Sequence, residues 1–197
     1  GNLTPSLKKL RESMDDYGVK DYTVIEKKGI KIGIFGLLGA DAASNAPMSE
    51  VVFTDAIEKA KEIVEKLNKE KVDLIVCLSH SGTWVKKSKS EDEILAKKVP
   101  DIDIIISGHT HTAHHEPIIV GNTIIASYGR YGENLGVLNI EQDPDKVWKL
   151  NEYKLEPIDS NLSIDPDISQ TIQSFRDSIQ EEYLNKFQME FDEVLAY

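Results

Sequence analysis

Two apolar runs constrain this chain more than any other feature. Val72–Leu78 is broken only by Asp73, and Ile102–Ile106 only by Asp103. Runs this continuous suit strands covered on both faces, because a strand with one wet face alternates apolar and polar residues. Before the first run, Thr54 is placed to cap a helix whose buried stripe is Ile57, Ala60, Ile63, Val64 and Leu67. Between the runs lie a polar loop, Ser81–Ser90, and a short helical segment through Ile94 and Leu95 that ends before Pro100. The order helix, strand, helix, strand specifies parallel βαβ units. Both strands of such a pair present their carboxyl ends at the same edge of the sheet. The predicted fold class is therefore α/β.

Shorter patterns complete the expectation. Thr4-Pro5 reads as an N-cap and first helical position, followed by an apolar face of Leu7, Leu10, Met14 and Tyr17 that Gly18 ends. Tyr22–Glu26 and Ile30–Leu37 form a hairpin around Lys28-Gly29, and a small-residue loop then runs through Pro47. Pro117–Val120 and Thr123–Ser127 flank the turn residues Gly121-Asn122, while Leu135–Glu141 and Val147–Leu155 flank Asp143-Pro144-Asp145. From Asp165 a long helix carries Ile168, Ile172, Phe175, Ile179, Tyr183 and Phe187 along one face. At 197 residues and 40% hydrophobic, one domain with a real core is expected.

Composition narrows the function classes. A net charge of −11 opposes binding to a nucleic-acid polymer, which needs positive potential along the phosphates. The longest apolar stretch, Ile32–Ala40, is far short of the ~18 residues of a membrane span. The single cysteine, Cys77, allows no internal disulfide and lies inside a β run, where it serves as a small buried hydrophobe. Ser79 and Ser81 flank His80 without a G-x-S-x-G elbow, so their hydroxyls are assigned to bracing the loop. No G-x-G-x-x-G is present to bind a dinucleotide.

All five histidines fall between positions 80 and 115. His80 follows the first apolar strand and His109 the second, so both leave the carboxyl edge of the sheet, where open α/β sheets bind ligands. Neighbouring strands lie roughly 5 Å apart, close enough for two imidazoles to converge on one ion. In extended chain His109 and His111 would point the same way, and Gly108 would permit a positive φ there. The alternative is that His109 and His111 are polar loop residues and His80 a satisfied histidine at the core edge. His114 and His115 are read as an exposed loop pair.

These residues also carry a family pattern. Leu78-Ser79-His80-Ser81-Gly82, followed by Asp103-Ile104-Ile105-Ile106-Ser107-Gly108-His109-Thr110-His111-Thr112, resembles the last two blocks of the calcineurin-like metallophosphoesterases. Ser127-Tyr128-Gly129-Arg130-Tyr131 and Leu135-Gly136 are similar to its 5′-nucleotidase and 2′,3′-cyclic-nucleotide phosphodiesterase branch. The resemblance implies part of a four-layer αββα sandwich with a dinuclear site. His80 and His109 would serve one divalent ion and His111 the other, with zinc, manganese or a similar metal as cofactor. It further implies a nucleotide or other phosphate-ester substrate and a secreted or cell-surface protein. The family's D-x-H, G-D-x-x-D and G-N-H-[DE] blocks do not occur in this sequence. The chain is accordingly read as a fragment with no catalytic acid or base of its own, able to self-associate. Residues 1–160 would belong to the catalytic domain, and 161–197 to a linker helix leading, at Glu193-Val194-Leu195, to a further domain. Two other readings stay open: a non-catalytic metal-binding or interaction module, and a mononuclear zinc hydrolase with three histidine ligands.

Overall fold

A computed structural model describes residues 1–5, 8–49 and 51–194. It divides into two compact units, Gly1–Ile158 and Asp159–Tyr197. Leu7 of the expected first helical face and Leu195 of the expected domain entry lie outside the described residues.

The first unit holds β1 (Leu3–Pro5), α1 (Lys8–Asp16), β2 (Tyr22–Lys27), β3 (Ile30–Leu38), α2 (Ala40–Ser44), β4 (Val51–Phe53) and α3 (Ala56–Lys69). It continues with β5 (Leu74–His80), α4 (Glu91–Lys98), β6 (Ile104–Ser107), β7 (Ile118–Val120), β8 (Thr123–Ala126), β9 (Asn134–Gln142) and β10 (Trp148–Pro157). The main sheet has the order β2-β3-β5-β6-β8-β7. Its four central strands are parallel, and β2 and β7 close the two edges antiparallel. Lys28 and Gly29 both take left-handed φ, 53° and 81°, in the β2–β3 turn, the pairing a two-residue hairpin requires.

Period-two alternation sorts the sheet's side chains between two layers. Phe35, Leu37, Ile75, Cys77, Ile105 and Ile125 face the helices and pack with Ala60, Ile63, Val64 and Leu67 of α3 and with Leu95 and Ala96 of α4. Leu74 and Ile104 face the other way, where Trp148, Leu138 and Ile140 of the β9–β10 hairpin cover them. The Trp148 indole N–H donates to the Asp73 carbonyl at 2.7 Å, so its one polar atom is satisfied at the layer boundary. Helices, sheet and hairpin thus form three layers of mixed α/β architecture, where the resemblance implied part of a four-layer sandwich.

Several local expectations change. Pro5 ends strand β1, which pairs antiparallel with β4, so it is a strand residue and not the first helical position. Both strands have three residues, too few for a periodic signal, and proline is tolerated at a strand end. No residue of α1 is buried, and Tyr17 is 91% exposed. The cap of α3 is Asp55, whose carboxylate accepts from Glu58 N at 2.9 Å, while Thr54 bonds to the Asn2 carbonyl instead. Within the expected loop through Pro47, Ala40–Ser44 forms α2. Its first two amides donate to the Glu91 carboxylate at 2.9 and 3.1 Å, a cap supplied from another element.

In the second unit, α5 (Pro166–Glu182) starts at an Asp165 cap and ends before Phe187, which lies in a 3₁₀ turn, Leu184–Phe187. The Gln180 side chain organises that end. It donates to Asn185 Oδ1 and the Met189 carbonyl and accepts from Phe191 N. These contacts fold the chain back where continued helical periodicity was expected.

Candidate metal centre

His80 is the last residue of β5, and Ser107 ends β6 in register with Ser79. This pairing lays Gly108 alongside His80, and Gly108 N donates to the Ser79 carbonyl at 2.8 Å. A side-chain carbon on Gly108 would sit 3.3 Å from His80 Nδ1, so glycine lets the backbone lie against the imidazole. The His80 and His109 rings follow at a centroid distance of 5.1 Å, tilted by 59°. Both imidazoles therefore stand at the carboxyl edge of adjacent parallel strands.

The segment after Gly108 is not extended. His109 and His111 carry φ values of 73° and 54°, while Gly108 is absent from the left-handed residues. Strand-like alternation does not apply there, and the His111 ring turns to pack edge-on against Tyr131 at 5.1 Å. Left-handed φ costs a non-glycine residue roughly 1–2 kcal/mol, and such strain clusters at ligand sites. His109 Nε2 lies 2.9 Å from Asp41 Oδ2. A carboxylate only accepts, so in a neutral ring Nε2 carries the proton and Nδ1 the lone pair.

The donor chemistry fits a divalent cation at two ligands. Partial burial, then the charges of His109 and His111, hold His80 below the ordinary histidine value and favour the neutral ring a metal needs. Among the described residues, no three histidine, cysteine, aspartate or glutamate side chains are gathered tightly enough to hold an ion. His80 and His109 are thus adjacent, and His111 is not drawn in to complete a trio with them.

His114 corrects the expectation of an exposed pair. It is buried, with Nε2 2.9 Å from Thr83 Oγ1, whereas His115 is exposed. The reason is a bridge between Ala113 and Tyr128 and a bond from His114 N to the Ser127 carbonyl, which turn the chain inward. Burial holds its ring below the ordinary value, and its Nδ1 has no partner among the described residues.

Three acidic residues with no motif to mark them stand near the centre. Asp41 reaches His109, Glu91 caps α2, and the fully buried Asp92 takes hydrogen bonds from Ser79 and Ser107. For Asp92 a signal did exist. Ser79 and Ser107 both face inward at matching strand ends, and buried hydroxyls need a partner.

Burial also shapes the acid range. It raises both Asp92 and Asp103 to about 6, against an ordinary 3.8, although Asp103 accepts from Ile75 N at 2.7 Å. A carboxyl whose folded value is raised stabilises the fold fully below its unfolded value and loses that contribution as pH rises through about 6. Asp103→Asn keeps an oxygen for Ile75 N but removes the titration. The variant's stability relative to the parent should therefore climb between about pH 4 and 6, by on the order of 1–2 kcal/mol after screening by solvent. Parallel urea titrations across that window measure the difference; a pH-independent offset would contradict it.

Known proteins are similar to this chain in sequence and in fold. The calcineurin-like phosphoesterase family matches residues 7–113. The chain is 33% identical over 171 residues to the trifunctional nucleotide phosphoesterase protein YfkN of Bacillus subtilis (strain 168), covering 83% of this chain and 11% of that protein. It is 26% identical over 180 residues to a 5′-nucleotidase of Diplobatis ommata, covering 81% of this chain and 30% of that one. The chain therefore spans less than a third of the length of either relative. In fold it is similar to the 5′-nucleotidase precursor from Thermus thermophilus, with a TM-score of 0.75, 22% identity, and coverage of 91% of this chain and 37% of that one. With the glycine-flanked histidines at the edge of the parallel sheet and the family match across more than half its length, this chain belongs to the calcineurin-like phosphoesterases.

Proposed function

We propose that the chain serves metal-dependent hydrolysis of nucleotide phosphate esters, in the manner of the 5′-nucleotidases it is similar to. The observation that carries this reading is the pair of imidazoles, His80 and His109, 5.1 Å apart where two parallel strands end. These two would hold one divalent ion, zinc or manganese, and His111 would contribute to a second. Such ions supply positive charge that offsets charge developing on phosphoryl oxygens as the ester bond breaks. The chain's own residues orient and hold. Asp41 fixes the His109 ring through Nε2, Gly108 brings the β6 end against His80, and Tyr131 supports the His111 ring. A secreted or cell-surface setting belongs to the same proposal. No helix among the described residues is long and apolar enough to cross a membrane.

The test is calorimetric titration with zinc or manganese, paired with phosphate release from nucleoside monophosphates. The chain should bind the cation weakly, because few ligands are gathered, and its phosphate release should be negligible, because the family's aspartate and asparagine blocks do not occur in this sequence. Absence of any cation binding at neutral pH would refute the metal reading. Robust turnover by this chain would favour a self-sufficient histidine site instead.

A further inference from the structure

Asp92 is the second residue of α4 and has 0% exposure. Its Oδ1 accepts from Ser79 Oγ at 2.5 Å, and its Oδ2 accepts from Ser107 Oγ at 2.5 Å and from Gly82 N at 3.1 Å. Asp92 N in turn donates to the Gly82 carbonyl at 3.2 Å, and Ser81 Oγ lies 2.8 Å from Ser79 Oγ. The positions of these partners are what matter. Ser79 immediately precedes His80, Gly82 follows it by two residues, and Ser107 precedes His109 by two. A single carboxylate therefore ties the end of β5, the turn beyond it and the end of β6 to the first turn of one helix.

Stability alone does not account for such a group. Taking a carboxylate out of water costs several kcal/mol, and apolar replacements of buried charge are often neutral or stabilising. What a planar carboxylate supplies is geometry, since its two oxygens hold the two serine hydroxyls at a fixed separation. Strand ends otherwise fray, and His80 and His109 lie at or just beyond the last ladder bonds. Conversely, Glu91 and Glu93 on either side of Asp92 hold other segments: Glu91 caps α2, and Glu93 accepts from Ser90 Oγ and pairs with Lys87. Of these three acids, Asp92 alone bridges the two histidine-bearing strands.

We infer that Asp92 is a positioning residue, a buried strand-end clamp that sets the spacing of His80 and His109 for a divalent cation. The inference rests on the metal reading of those two histidines. A carboxylate behind metal-ligating imidazoles typically contributes about 10–100-fold to metal affinity when it orients them.

The test uses Co²⁺ as the probe, with the full chain at about neutral pH. Absorption follows Co²⁺ binding, and imidazole ¹H–¹⁵N signals are recorded without metal. Asp92→Ala should weaken Co²⁺ binding by about 10–100-fold and shift the His80 and His109 ring signals while leaving His115 unmoved. Asp92→Asn should restore near-parental affinity, because its amide nitrogen can face Ser79 Oγ while its oxygen still accepts from Ser107 and Gly82. Should Asp92→Ala fail to fold, Ser107→Ala removes one arm of the clamp and is expected to shift the same two rings. The inference is overturned if Asp92→Ala, or Ser107→Ala in its place, keeps parental affinity and unchanged ring signals, whatever happens to its melting temperature. It is equally overturned if Asp92→Asn loses as much affinity as Asp92→Ala. If the parental chain binds no Co²⁺, the metal reading fails and the metal-free ring signals alone decide the clamp: shifted rings uphold it, unmoved rings reject it.

Discussion

Replacing Ile105 with alanine should destabilise the first unit by about 2–5 kcal/mol, a large share of the stability of an ordinary domain. Ile105 has 0% exposure on the central strand β6. Its ladder partners are Cys77 on β5 and Ile125 on β8, both also 0% exposed. Helices α3 and α4 close the layer above it. Strands pinned on both sides by hydrogen-bonded ladders cannot collapse into the space that the missing carbons leave. The penalty therefore includes a cavity contribution as well as lost transfer energy. Ile119 on the edge strand β7 is 53% exposed, and its alanine variant should fall within about 0.5 kcal/mol of the parent. Urea unfolding of the two variants, with slopes compared, measures both. A cost below about 1 kcal/mol at Ile105 would mean the helical layer does not pack on β6.

His109→Gly should separate binding from stability by weakening the first without loss of the second. Removing one of two adjacent imidazoles should weaken zinc or Co²⁺ binding by at least ~100-fold, since loss of an outer supporting group alone reaches that range. The same change relieves a φ of 73° that glycine adopts without penalty. Thermal unfolding in EDTA should therefore show the variant equal to the parent or more stable by about 1 kcal/mol. His109→Ala is the matched control: it loses binding but keeps the left-handed strain. A glycine variant that melts below the alanine variant would show that the left-handed backbone is not strained at this residue. Strain retained at a ligand-bearing position, when glycine would remove it, is the pattern expected where a side chain is kept for function.

Legibility of the chain follows the range of the interaction involved. The two buried strands, the α3 stripe of Ala60, Ile63, Val64 and Leu67, and the two-residue hairpin at Lys28-Gly29 are all set by neighbours within a few positions. Backbone geometry fixes which face each residue meets, so their periodicity can be read directly. The three-residue strands β1 and β4 and the five-residue α2 were not readable. Each is too short to show a period, and each exists because another element completes its hydrogen bonds, Glu91 reaching α2 across 51 residues of chain. The inward turn at His114 has the same cause, a bridge whose strength no local pattern records.

By itself, the sequence determined that His80 and His109 would leave one edge of a parallel sheet. Two apolar strands joined by a helix-sized crossover form a parallel βαβ unit, which puts their carboxyl ends at one edge. Only the tertiary structure decided what those imidazoles meet. Asp41 joins His109 from 68 residues away, Asp92 gathers Ser79 and Ser107 from 13 and 15 residues away, and left-handed backbone turns His111 toward Tyr131. Such contacts depend on how whole layers settle against one another. A buried carboxylate finds its hydroxyl partners only after the strands have paired and α4 has docked, and nothing in the local chemistry of Glu91-Asp92-Glu93 marks the middle residue as the one that meets Ser79 and Ser107.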